Sequence, residues 1–85
     1  MNLYIVREVL YDYTGGMVAI KARDIEQAAE FFKEWIRSGY PGLSDWEDYV
    51  VEFNTSVRAG YYHELVLSTK DTHKPGVVTQ VWGGG

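Results

Sequence analysis

Asp24-Ile25-Glu26-Gln27-Ala28-Ala29-Glu30-Phe31-Phe32-Lys33-Glu34-Trp35-Ile36-Arg37-Ser38-Gly39 is the stretch that decides the fold. Ile25, Ala28, Ala29, Phe32 and Ile36 recur at intervals of three and four, which gathers them on one face of an α-helix. Phe31 and Trp35 widen that face on one flank. Asp24 can accept from the Gln27 amide while Gln27 reaches back, a variant of the capping box. Asp24 and Glu26 meet the positive end of the helix dipole, and Lys33 and Arg37 the negative end. Gly39 is placed to close the helix as its C′ residue, with Pro41 just beyond.

Upstream, Leu3 to Tyr11 is rich in β-branched and aromatic residues and reads as a strand. The turn-forming cluster Asp12-Tyr13-Thr14-Gly15-Gly16 then leads to a second apolar run, Met17 to Ala22, so the two runs form a hairpin. Downstream, Tyr40 to Asp48 reads as a loop with one helical turn started by Ser44 and Glu47. Three strand-like runs follow: Tyr49 to Phe53, Tyr61 to Ser68, and Val77 to Trp82. Asn54-Thr55-Ser56 with Ala59-Gly60 marks one connection, and Lys70 to Gly76 the next. The expected order is ββαβββ, an α+β domain whose antiparallel sheet of about five strands carries one helix on one face. Residues 1–82 are expected to form this single domain, with residues 83–85 a flexible glycine tail.

One helix is about 10–12 Å across, too narrow to cover a sheet roughly 20–24 Å wide. With Leu3, Ile5, Val18, Ile20, Val51, Phe53, Leu65, Leu67, Val77 and Val81 turned inward, the outward set includes Tyr4, Val6, Leu10, Val50, Tyr62, Val66, Val78 and Trp82. Glu8, Lys21, Glu52, Glu64 and Gln80 add polarity on that side. It reads either as an exposed sheet whose β-branched and aromatic residues fit the pleat or, the favoured reading, as a contact face for another protein or a second copy.

The 85 residues carry a formal net charge of −4, with eight Lys and Arg against twelve Asp and Glu. Direct nucleic-acid binding, which relies on clustered cations, is disfavoured. There is no cysteine, which fits a reducing cytoplasm better than a secreted domain of this size. Met1 to Glu8 lacks the pattern of a signal peptide, and no apolar run approaches the ~20 residues of a membrane span. Cytoplasmic localisation is therefore expected.

Catalytic and metal-binding patterns are weak. His63 and His73 lack the close spacing of paired ligands, even with Glu64 and Asp71 nearby. The serines at positions 38, 44, 56 and 68 sit in no nucleophile elbow, and Gly15-Gly16 is a turn, not a phosphate loop. No catalytic residue, metal or cofactor is expected, and the chain reads as a non-enzyme. The densest acidic stretch is Asp45, Glu47, Asp48 and Glu52, interleaved with Trp46 and Tyr49. It reads either as a solvated loop or as an acidic-aromatic patch that docks onto a basic groove of another protein. The candidate partner-binding residues are Asp45, Trp46, Glu47, Asp48, Tyr49 and Glu52, together with Tyr4, Val6, Tyr62 and Trp82 on the outward sheet face.

Two resemblances bear on function. A hairpin, a helix opening Asp-Ile-Glu and the final Gly83-Gly84-Gly85 resemble the ubiquitin-like β-grasp, although Trp82 abuts the glycines where that family has a flexible extension. The strand Leu3-Tyr4-Ile5-Val6, the helix opening Asp24-Ile25-Glu26-Gln27-Ala28 and the ending Lys74-Pro75-Gly76-Val77-Val78 then Trp82-Gly83-Gly84-Gly85 resemble small bacteriophage accessory proteins. That resemblance covers both ends and the helix and leaves Tyr40 to Asp71 unmatched. It implies expression in a bacterial host and, among such proteins, inhibitors of host defence such as anti-CRISPR proteins. The leading expectation is a non-enzymatic module that inhibits a host protein by occlusion. A structural or regulatory homodimer is the second, and a small ligand-binding module or enzyme the third.

Overall fold

The computed structural model describes residues 1–12, 14–67 and 74–84. Strands β1 (Asn2–Asp12) and β2 (Thr14–Ala22) precede helices α1 (Ile25–Gly39) and α2 (Trp46–Arg58), and β3 (Tyr62–Val66) and β4 (Gly76–Val81) follow. All neighbours in the sheet are antiparallel, in the order β3-β1-β2-β4. The domain is α+β as expected. Among the described residues, four strands and two helices replace the expected five or so and one, and the order is ββααββ.

The expected strand Tyr49 to Phe53 lies inside α2. Its local run of valine and aromatic residues favours a strand, but Trp46, Tyr49, Val50, Phe53 and Val57 recur at helical spacing and all face the core. Glu47 and Asp48 in the first turn and Arg58 in the last complement the helix dipole. The helix ends in a Schellman motif, with Gly60 N–H donating to Val57 O and Tyr61 N–H to Ser56 O, both at 3.0 Å. Gly60 supplies the left-handed conformation this ending requires, at φ 82°. Ala59-Gly60 is therefore a helix stop.

Helix α1 forms as the spacing predicts. Asp24 Oδ1 accepts from Gln27 N–H at 2.7 Å, and the Gln27 side chain reaches back one residue further, accepting from Arg23 N–H at 2.7 Å. The helix runs through Gly39, and Tyr40 is its C-cap. The Gln27 N–H bond, aided by Arg23, holds the Asp24 carboxyl below its ordinary pKa. Because the folded state favours the ionised form, this contribution is present above the unfolded pKa and is lost as pH falls through the folded one. Asp24→Ala is expected to lower the melting temperature at neutral pH by roughly 4–8 °C, the effect of one lost cap in a small domain. Asp24→Asn should retain most of the stability, and equal melting of all three proteins would contradict the assignment.

The register corrects the faces of β1. Tyr4 pairs with Ile20 and Val6 with Val18, and directly opposed residues share a face. Tyr4, Val6, Val18 and Ile20 are buried in one cluster with Phe32 and Ile36 from α1 and Phe53 from α2. Both helices therefore cover this side. Tyr4, Val6 and Leu10, expected to face outward, are core residues, whereas Leu3 and Ile5 lie on the opposite face. Leu3/Tyr4 and Ile5/Val6 are adjacent apolar pairs, so hydrophobicity alone does not fix the phase of the strand.

Two register shifts interrupt the β1–β2 pairing, and Glu8 and Leu10 adopt left-handed backbone at φ 58° and 53°. These bulges turn both Val9 and Leu10 into the core. The backbone groups freed from the ladder find partners elsewhere. Ser56 Oγ of α2 donates to Glu8 O at 2.7 Å, Gly83 N–H donates to Leu10 O at 2.9 Å, and Glu52 accepts from Tyr11 N–H at 3.3 Å. The glycines expected as a loose tail are thus held at two positions, because Gly84 also exchanges hydrogen bonds with Thr14 Oγ1. Gly85 lies outside the described residues, as do Tyr13, Ser68, the Lys70 to His73 part of the expected turn, and with it Asp71.

Candidate binding surfaces

The helices turn their polar sides outward over the sheet. Glu26, Glu30 and Glu34 of α1 and Asp45, Glu47 and Asp48 at the start of α2 are all exposed. Residues 24–58 hold eight carboxylates against three cations, a net of −5, while the remainder of the chain carries +1. The negative balance of the sequence therefore falls in the segment that holds both helices, although Glu52 faces β1 and Asp24 is paired with Arg23 at 3.2 Å. Arg37 is paired with Glu34 at 2.5 Å, so these two charges cancel within α1.

Between the helices lies an open groove of about 380 Å³. Ala29, Trp46, Val50 and Val51 form its apolar lining, while Glu30 and Glu47 stand among its polar residues with Lys33 and Asn54. Val51 is 61% exposed, a large value for an apolar side chain on a packed helix. Carboxylates beside an apolar floor suit a segment that brings both cationic and apolar side chains.

The acidic-aromatic patch expected between Asp45 and Glu52 is divided by the helix. Asp45, Glu47 and Asp48 point to solvent, but Trp46 and Tyr49 are half-buried against the core. Tyr49 meets Trp82 edge-on at 5.4 Å, and Trp82 meets Tyr40 at 5.5 Å. Trp82, expected on an open sheet face, therefore joins the two helices to the end of β4. Burial, reinforced by the neighbouring Asp45, pushes the Tyr49 phenol above its ordinary pKa. Tyr62 is also half-buried, its ring 6.3 Å from that of Tyr4. Burial likewise raises the Tyr4 pKa, with a further push from Glu64, which accepts from the Tyr4 hydroxyl at 3.1 Å. Neither Tyr4 nor Val6 is available to a partner.

Glu52 faces β1. It lines a second, smaller cavity of about 250 Å³ with Glu8, Tyr11, Thr55, Ser56, Ala59 and Tyr61. The Tyr11 hydroxyl donates to Glu8 there, which raises the Tyr11 pKa. Burial pushes the Glu52 carboxyl above its ordinary pKa, opposed by hydrogen bonds from the Tyr11 and Leu10 amides. A raised carboxyl favours the folded state while protonated, so this contribution is full below the unfolded pKa and is lost as pH rises through the folded one. Glu52→Gln keeps an acceptor for the Tyr11 amide. Its stability relative to the parent chain is expected to improve as pH rises from about 4 to 7, read by thermal melts. A constant difference across that range would show that ionisation of Glu52 does not bear on folding.

No family model, curated protein or solved structure matches this chain. Among the described residues, no group of three or more His, Asp or Glu side chains is arranged to hold a metal ion. No helix among them is long and apolar enough to cross a membrane. His63 stands on β3 away from the helical layer, and His73 lies outside the described residues.

The acids of α1 belong to the surface and were not among the candidates read from the sequence. Their spacing was visible, Glu26, Glu30 and Glu34 recurring every four residues. Their relevance depends on α2 lying beside α1, shown by the stacked Phe32 and Phe53 rings at 4.5 Å.

Proposed function

We propose that this chain is a non-enzymatic binding protein that covers a basic surface of another protein with its acidic helical layer. The observation that carries the reading is the concentration of negative charge: −5 on residues 24–58 within a chain of −4. Such segregation speeds encounter with a positively charged surface and disfavours acidic ones. A groove built for nucleic acid is lined by cations, so occlusion of such a groove is a mode of inhibition that fits this charge. The resemblance of the termini and α1 to small phage accessory proteins supports a bacterial host protein, such as a defence protein, as the target.

Charge reversal on exposed positions tests this without disturbing the core. Glu47→Lys with Asp48→Lys changes the local charge by four units on two exposed residues. Capture of a host protein from bacterial lysate is expected to fall by at least about tenfold, with the fold retained by circular dichroism. Undiminished capture would refute the assignment of this surface.

The other side of the sheet supports a second reading, a homodimer. Leu65 and Val81 are 48% and 57% exposed there, and neither helix covers that face. Light scattering that shows a dimer persisting on dilution would favour it, and a monomer at all concentrations would exclude it.

A further inference from the structure

β3 is paired with β1 along its length without a register shift. Arg7 N–H donates to Tyr61 O, and Leu67 N–H donates to Met1 O. These two bonds share the register of the Ile5–His63 and Leu3–Leu65 pairs, so the odd-numbered residues make the bonds to β1. The backbone N–H and C=O groups of Tyr62, Glu64 and Val66 therefore point away from β1. β3 is an edge of the sheet, and no described strand meets those groups.

The two edges differ. Pro75 precedes β4, and a register shift breaks its pairing with β2, both devices that blunt an edge. β3 has neither. It also projects beyond the helices: every residue except Tyr62 is exposed, and Val66 reaches 85%.

We infer that the free edge of β3 receives an extended segment of a partner protein as an added antiparallel strand. A row of backbone donors and acceptors at alternate residues recognises another extended backbone. A second copy is disfavoured at full overlap, because antiparallel self-pairing of Tyr62–Val66 sets Glu64 opposite Glu64. The same carboxylate, held by Asn2 and Tyr4, favours a Lys or Arg at the position opposite it. The segment should alternate this cation with apolar residues facing Tyr62 and Val66. This interface is separate from the helical layer and uses backbone pairing where that surface uses charge.

The test is a displayed library of linear peptides about nine residues long with Lys at the centre, selected against the whole chain. Enriched peptides are expected to slow hydrogen exchange at the Tyr62, Glu64 and Val66 amides. Val66→Pro removes one outward N–H and leaves the bonds to β1, so it should weaken the best peptide by roughly tenfold or more. Glu64→Lys should instead shift selection, from a library with a randomised centre, toward Glu or Asp, which keeps the test decisive should Val66→Pro disturb the strand. Reversal of Glu47 and Asp48 should leave peptide binding unchanged. Failure to enrich any peptide, protection of amides elsewhere, or a second copy found on this edge by NMR would overturn the inference.

Discussion

Phe53→Ala is expected to destabilise the protein by about 3–5 kcal/mol, the range for removing a fully buried phenylalanine. The Phe53 ring is completely buried and stacks on Phe32 at 4.5 Å, the contact that fixes α2 against α1. A domain of 85 residues has little surplus, since total stabilities run from about 5 to 15 kcal/mol and small domains bury the least surface. The variant should be largely unfolded or melt at least about 12 °C lower, by circular dichroism. Phe53→Leu should recover much of the loss because most of the volume is refilled. A shift of only a few degrees for Phe53→Ala would mean that α2 does not close the core.

The second large effect is expected at Gly83. A Cβ there would overlap the backbone of Thr14 and Gly15, which cannot step aside as a flexible side chain could. Gly83→Ala should therefore lift the tail, breaking the bond from Gly83 N–H to Leu10 O and loosening Trp82 between Tyr40 and Tyr49. The expected loss is about 1–3 kcal/mol, the range for forced overpacking, with a red shift in tryptophan fluorescence. Gly84 supplies the control, because a Cβ there meets nothing within 4 Å. Gly84→Ala should melt as the parent chain does. Identical behaviour of the two variants would show that the glycine ending is free, as the β-grasp resemblance required for a conjugated tail.

The sequence made α1 legible because period, cap and charge all agreed between Asp24 and Gly39. It obscured α2 because Tyr49-Val50-Val51-Glu52-Phe53 satisfies local strand preference while its wider spacing is helical. Tertiary burial of Phe53 decides that conflict. The phase of β1 was illegible for a different reason: adjacent apolar pairs at Leu3/Tyr4 and Ile5/Val6 serve either face, and only pairing with β2 chooses. Among the site residues, Asp45, Glu47 and Asp48 stay on the surface as expected. Trp46 and Tyr49 turn inward because a helix, unlike a loop, sends residues one position apart in different directions.

The sheet face left uncovered is thus the opposite of the one expected from the sequence. One helix would have left much of the sheet bare, whereas two helices cover Tyr4 and Val6 and gather the acids above them. Among the described residues, what remains open is the opposite face around Leu65 and Val81, together with the edge of β3. In the proposed function, the charge of the helical layer is what selects the partner.

The most direct measurement is the affinity for the captured host protein as a function of salt, for the parent chain and for Glu47→Lys/Asp48→Lys. Charge-driven docking predicts tight binding by the parent at about 0.05 M salt, steep weakening by about 0.5 M, and weak binding by the variant throughout. Equal affinities for the two proteins, unchanged across that range, would contradict the account.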